Sequence, residues 1–398
     1  MELSSPVEGL AHFATHAPRL KPAGLAGAVV IGIVGALIIF VTPGFLAIIA
    51  AHAALDDAQL GYIAAWDINA MAVAIGVSAF LLTRCNWRVA VGVGLGLIVL
   101  GNIGTALASS YAGIAAARVV AGAGEGIAIG FSFAALGRAR NPDRAFAIYL
   151  VTGALFSTLL LFTIPTLIER VGPRDLFFLN AGLAVIAGIS LWGFPDGSKS
   201  EDDMFSIGAR INRALAFYCL LAVFLYFFAT GAMWSYIERI GMTSGLSPDV
   251  IANGLSLGTL AGVLGAGCAG LVPARWGRSW PLLASGAISI VSFQLLLGVV
   301  PAIGFVTAAV MLLFGWNFAQ PLLSGICSEA DRCGRVVCAM GAIQTFGTGL
   351  GPAAAGATLR GGDFSLAIWS SCGILLLSLG VIIFAIHRTG PPAASDRC

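Results

Sequence analysis

The chain has 398 residues, of which 58% are hydrophobic and only 10% charged, and its mean hydropathy is +0.94. A soluble domain needs a charged skin of about a quarter of its residues, so this composition excludes one. The net charge of +2 gives no reason to expect a nucleic-acid partner.

Apolar runs of about 20 residues, the length that crosses a hydrocarbon core, occur twelve times. They lie near 25–50, 58–82, 89–109, 111–137, 145–167, 175–194, 213–236, 249–273, 281–300, 302–325, 335–358 and 365–387. The expected fold is an all-α membrane protein of twelve transmembrane helices. Residues 1–24 form a short polar lead, with His12, His16, Arg19 and Lys21 before a run too long for a signal-peptide core. That first helix is therefore expected to be retained. Sixteen of the 21 Lys and Arg fall on the side of the N-terminus when alternate loops are counted together. The positive-inside rule then places both termini, including the tail 388–398, in the cytoplasm of a cell inner membrane. The eight cysteines fall in helices or on that side, so no disulfides are expected.

In the second span Asp67 lies about ten residues in, beside Trp66 and two before Asn69. A charge at the centre of a membrane helix costs about 2.5–3.5 kcal/mol on insertion scales, so such residues are functional candidates. Asp67 reads either as a proton site or as one partner of an interhelical bond. The fourth span holds Arg118 and Glu125, seven residues apart and so on one helical face. Burial disfavours the charged form of a carboxylate and a nearby guanidinium favours it. A group balanced between the two can load and release a proton. Glu125 is the first candidate for proton coupling and Asp67 the second.

Between the sixth and seventh spans, Pro195 to Asn212 form the one long polar interruption, read as a cytoplasmic linker. It separates a six-helix bundle at 25–194 from another at 213–387. Loop chemistry repeats between them. Arg84 and Arg88 after the second span correspond to Arg275, Gly277 and Arg278 after the eighth, and Pro165 to Pro352. Such duplicated units pack around a site near the membrane midplane.

The second half offers aromatics and amides in place of charge. Tyr226, Thr230 and Trp234 recur every four residues on the seventh span, with Glu238 at its outer mouth. Trp316 and Gln320 share a face on the tenth, with Asn317 beside them and Pro321 next. These are the candidate contacts for a partly apolar organic solute. Glycines every four residues, at 122, 126 and 130 and at 254, 258 and 262, read as packing stripes. Gly254–Gly258 matches a nucleophile-elbow string and Gly265–Gly270 a dinucleotide fingerprint. Each needs a strand before it, and none is expected. Nothing resembles a phosphate loop, a metal cluster or a cofactor site, so neither ATP-driven transport nor an enzyme is expected.

With these features the chain resembles the major facilitator superfamily over essentially its whole length. Gly270, Arg275, Gly277 and Arg278 keep part of that superfamily's Gly-x-x-x-Asp-Arg-x-Gly-Arg loop, with Ala274 in place of the Asp. The first copy is poorer, with Thr83 and Asn86 replacing Asp and Gly. Arg118-x-x-x-Gly122-x-Gly124 resembles its fourth-helix motif, whose Arg commonly bonds the backbone of the first helix or meets an anionic solute. Glu125 resembles the coupling acid of organic-anion symporters related to sialin and the Spinster lipid transporters. Gly347-x-x-x-Gly351-Pro352 resembles a drug-antiporter motif, displaced from the fifth helix to the eleventh. The expected function is proton-coupled secondary transport of a small organic solute by alternating access, by a monomer, and the single buried Arg118 best fits an organic or aromatic acid that enters with a proton. Proton-driven efflux of hydrophobic compounds and a transport-dead receptor or sensor are the alternatives.

Overall fold

The computed structural model describes residues 20–82, 84–139, 142–197, 212–272, 279–330, 335–359 and 362–389. Among them are twelve α-helices. The first six are α1 (Pro22–His52), α2 (Asp57–Leu81), α3 (Trp87–Leu107), α4 (Tyr111–Gly137), α5 (Pro142–Val171) and α6 (Pro173–Ile189). The second six are α7 (Arg213–Thr243), α8 (Pro248–Gly270), α9 (Ser279–Gln294), α10 (Ala302–Ala330), α11 (Arg335–Thr358) and α12 (Ser365–Thr389). Ten are long and apolar enough to cross a membrane; the other two are α9, with 16 helical residues, and the glycine-rich α11. The predicted Arg275, Gly277 and Arg278, most of the linker, the first 19 residues and the end of the tail lie outside the described residues.

Local chemistry sets the helix starts. Asp56 and Gln59 form a capping box at α2, the Asp56 side chain accepting the Gln59 N–H at 2.7 Å. Asn86 caps α3, Ser110 caps α4, and Ser247 caps α8 with Pro248 in the first helical position. The decoy strings are also explained, because Gly254–Gly258 and Gly265–Gly270 both lie inside α8.

Packing follows a pattern that repeats six helices on. The first helix packs on α4, α5 and α6, and α7 on α10, α11 and α12. Likewise α2 and α3 pack on α4 as α8 and α9 do on α10, while α3 meets α6 as α9 meets α12. Across the seam α2 lies on α11, α5 on α8 and α1 on α7.

Glycine stripes make the close approaches. A methyl group on Gly122, Gly126 or Gly130 would overlap Asp67, Met71 or Ser78 of α2. Gly254, Gly258 and Gly262 seat α8 on Phe305, Ala309 and Asn317 of α10. Where lipid is as apolar as the side chains, such contact supplies the packing energy. Gly258→Val should therefore destabilise the protein by about 1–3 kcal/mol, read as a lower midpoint of SDS-induced unfolding. Gly267→Val, which faces open space, should leave that midpoint unchanged.

The first helix is interrupted at Val41 (φ −118°, ψ 22°), two residues before Pro43. Proline has no N–H, so the carbonyl four residues earlier loses its helical donor. That carbonyl belongs to Ile39, and it accepts instead from the Trp234 indole of α7 at 3.2 Å, while the Thr42 hydroxyl, 3.2 Å away, donates chiefly to the Ile38 carbonyl at 2.6 Å.

Candidate functional site: a buried arginine between two carboxylates

Asp67, Arg118 and Glu125 come together inside the first six helices. Arg118 Nε donates to Asp67 Oδ2 at 2.8 Å, and Nη2 lies 2.7 Å from the same oxygen. Nη2 also donates to Glu125 Oε1 at 3.0 Å, and Nη1 to Asn102 Oδ1 of α3 at 3.3 Å. Asn180 of α6 donates to that same Asn102 oxygen at 3.0 Å. The guanidinium carbon sits 4.6 Å from the ring centre of Phe45, a cation–π contact with α1. Asp67 and Arg118 are fully buried and Glu125 is 3% exposed.

Glycine creates the room for this cluster. Because Gly122 has no side chain, α4 lies directly on the Asp67 backbone, which brings the Asp67 carboxylate within reach of Arg118. Gly101 on α3 similarly admits Ala121 of α4. The approach then presents the Arg118 donors to both acids and to Asn102.

The charges in the cluster do not balance. One guanidinium faces two carboxyl groups, and two of their oxygens, Asp67 Oδ1 and Glu125 Oε2, are buried without a hydrogen-bond partner. Buried polar atoms ordinarily find partners, and an uncompensated buried charge is costly. A single proton would neutralise the surplus charge and turn one unpartnered oxygen into a donor. The two acids are held differently. Asp67 receives two Arg118 nitrogens on one oxygen, whereas Glu125 receives one, at longer range.

The sequence pairs Arg118 with Glu125, and the structure brings Asp67 into the same cluster. Asn102 and Asn180 were missed, since an amide in an apolar helix has no spacing signal to mark its partner. Arg118 meets α1 through the Phe45 ring, whereas the resemblance suggests the α1 backbone. The arginine is also enclosed and multiply bonded, so it does not present an unoccupied cation for an anionic solute.

The second-half candidates are spread over several environments. The Tyr226 hydroxyl is fully buried within α7, α9 and α10, 2.9 Å from Ser285 Oγ, 3.4 Å from Ser289 Oγ and donating to the Gly315 carbonyl at 3.1 Å. Thr230 donates to the Tyr226 carbonyl of its own helix at 2.9 Å. Asn317 donates to the Leu313 carbonyl at 2.9 Å and lies against Gly262. Trp316 packs edge-on against Phe227, with ring centres 5.4 Å apart. Gln320 is half-buried on α10. Trp234 reaches the seam at Ile39, and Glu238 is 8% exposed with Oε2 unpartnered.

Of the loop residues, Arg84 is exposed and Arg88 turns back on the first half. Its Nε donates to the Phe194 carbonyl at 2.5 Å, and the adjacent Trp87 N–H donates to the Asp196 carbonyl at 3.1 Å. This loop grips the segment that follows α6.

Long apolar helices, a packing that repeats six helices on and ionisable groups enclosed at mid-helix define a multi-pass membrane protein, and the family that its sequence matches makes it a transporter of small solutes and not an enzyme. The chain belongs to the Major Facilitator Superfamily, whose family profile matches residues 27–352. A search of curated proteins gives no match. Among solved structures, the nucleoside transporter NupG aligns with TM-score 0.72 at 11% identity, covering 92% of this chain and 98% of its own. A D-xylose-proton symporter aligns with TM-score 0.71 at 15% identity, covering 94% and 98% respectively. The xylose transporter XylE from E. coli, in a partially occluded inward-open conformation, gives 0.72 at 12% identity over 94% and 99%. At these identities the likeness is one of fold.

Proposed function

We propose that the protein is a proton-coupled secondary transporter of a small organic solute, working by alternating access between six-helix units at 25–194 and 213–387. The linker 195–212 joins them, and both termini face the cytoplasm of a cell inner membrane. The protein acts as a monomer. The observation that carries the proton is the cluster of two carboxyl groups on one enclosed guanidinium, with two oxygens left unpartnered. Glu125, the less tightly held acid, exchanges the proton; Asp67 keeps Arg118 in place. A protein of the same fold, the D-xylose-proton symporter, is consistent with this reading.

The committed state of Arg118 bears on the solute. An organic acid would find no free cation in this cluster, and would have to enter in its neutral, protonated form. Recognition then falls to the aromatic and amide groups, chiefly Trp234, Trp316 and Gln320, which suits a neutral and partly apolar solute. The same observation favours a second reading, efflux of hydrophobic compounds on the proton gradient. Uptake into proteoliposomes under an imposed pH gradient tests the coupling. Solute accumulation supports it, and transport indifferent to the gradient refutes it. Depletion or accumulation in cells fixes the direction.

Tyr226 is assigned to the frame. Tyr226→Phe removes a buried hydroxyl held by Ser285 and the Gly315 carbonyl, and should lower stability by about 1 kcal/mol. Solute affinity should stay at the wild-type value; a large rise in KM would return Tyr226 to the solute site.

A further inference from the structure

Near its Thr243 end, α7 grips the first turn of α2 through groups that the cluster around Arg118 does not use. Arg239 Nε and Nη2 each lie 2.7 Å from Asp57 Oδ1. Tyr236, three residues earlier and on the same face of α7, donates its hydroxyl to the Asp57 carbonyl at 2.7 Å. The Arg239 and Asp57 side chains are 26% and 19% exposed, so solvent screens this pair only in part.

The surroundings are shaped for the contact. Asp57 is the first residue of α2, immediately after the N-cap Asp56, where the helix dipole favours a carboxylate. A methyl group on Gly61 would overlap the Tyr236 hydroxyl, and one on Gly356 of α11 would lie 2.6 Å from it. Elements of both halves thus leave space for one side chain. The other cross-seam bonds described here join Trp234 to Ile39 and Thr158 to Ser256 and Thr259. The Asp57 contact adds an ion pair to these neutral bonds.

We propose that Asp57, Tyr236 and Arg239 form a latch that closes this end of the seam and must open before α7 swings away from α2. The proposal rests on the transport reading for the motion, but its test needs no solute. Hydrogen–deuterium exchange is measured on the full chain in nanodiscs, for wild type, Asp57→Asn, Arg239→Gln and the double variant. Either single change should raise exchange severalfold on both sides of the seam, in peptides near 57–63 and 234–243. The double variant should exchange no faster than the worse single one, because the two residues act through one bond. Tyr236→Phe should give a smaller rise in the same two peptides. Peptides from α4, which does not touch the latch, should be unchanged.

A rise confined to the helix that carries the substitution would overturn the proposal, as would additive effects in the double variant. If Asp57→Asn merely frays the start of α2, exchange rises there alone, and that result also counts against the latch. Coupled exchange in a protein that shows no proton-driven uptake would refute the proposed function and leave the latch standing. Proton-driven uptake with uncoupled exchange would do the reverse.

Discussion

Arg118→Ala should be the most damaging single substitution in the chain. It leaves Asp67 and Glu125 facing each other in an enclosed site, with Asn102 also stripped of a donor. Breaking a buried ion pair by removing one partner destabilises by about 3–5 kcal/mol. The expected readout is a sharply lower yield of folded protein and a lower unfolding midpoint in detergent. The physical cause can be checked by neutralising what remains. Arg118→Ala combined with Asp67→Asn and Glu125→Gln should recover much of the lost stability, since no unpaired charge is then buried. If the triple variant is as unstable as the single one, the loss comes from packing on Phe45 and not from charge.

Glu125→Gln should separate transport from energy coupling. Gln has nearly the shape of Glu and can still accept from Arg118, so the fold should survive. With one proton per solute, one unit of pH gradient supplies about 1.4 kcal/mol and supports about tenfold accumulation. The variant should equilibrate solute across the vesicle and concentrate none, while solute exchange at equal concentrations continues. If it still concentrates solute, Glu125 is not the coupling group and Asp67→Asn becomes the decisive variant.

The helices and the glycine stripes were legible because both are periodic. Apolar length marks a helix, and Gly122, Gly126 and Gly130 at four-residue spacing mark a face, which the structure seats on α2. Arg118 and Glu125 could be paired from sequence because they share one helix. The bond between Arg118 and Asp67 spans 51 residues, and no local spacing fixes how far one helix slides along another. Tyr226 shows the other side of this: its spacing sets it in one stripe with Thr230 and Trp234, and the structure turns its hydroxyl to Ser285. A stripe on a helix says which residues travel together, not which neighbour they face. The Asp57–Arg239 pair left a weak trace, since Arg239 is one of only four basic residues counted on the outer side.

The interruption at Pro43 has a consequence for motion. A main-chain oxygen of α1 is served by an indole belonging to the other half of the molecule. If the halves swivel apart there, that oxygen is left only with Thr42, whose single proton goes to the Ile38 carbonyl at 2.6 Å, and an unmet buried acceptor costs about 1–3 kcal/mol. Water must follow the departing tryptophan, or the backbone must re-form its turn. Hydration of this bend and the swivel of the two halves are then a single event, with the dry form favouring the joined arrangement.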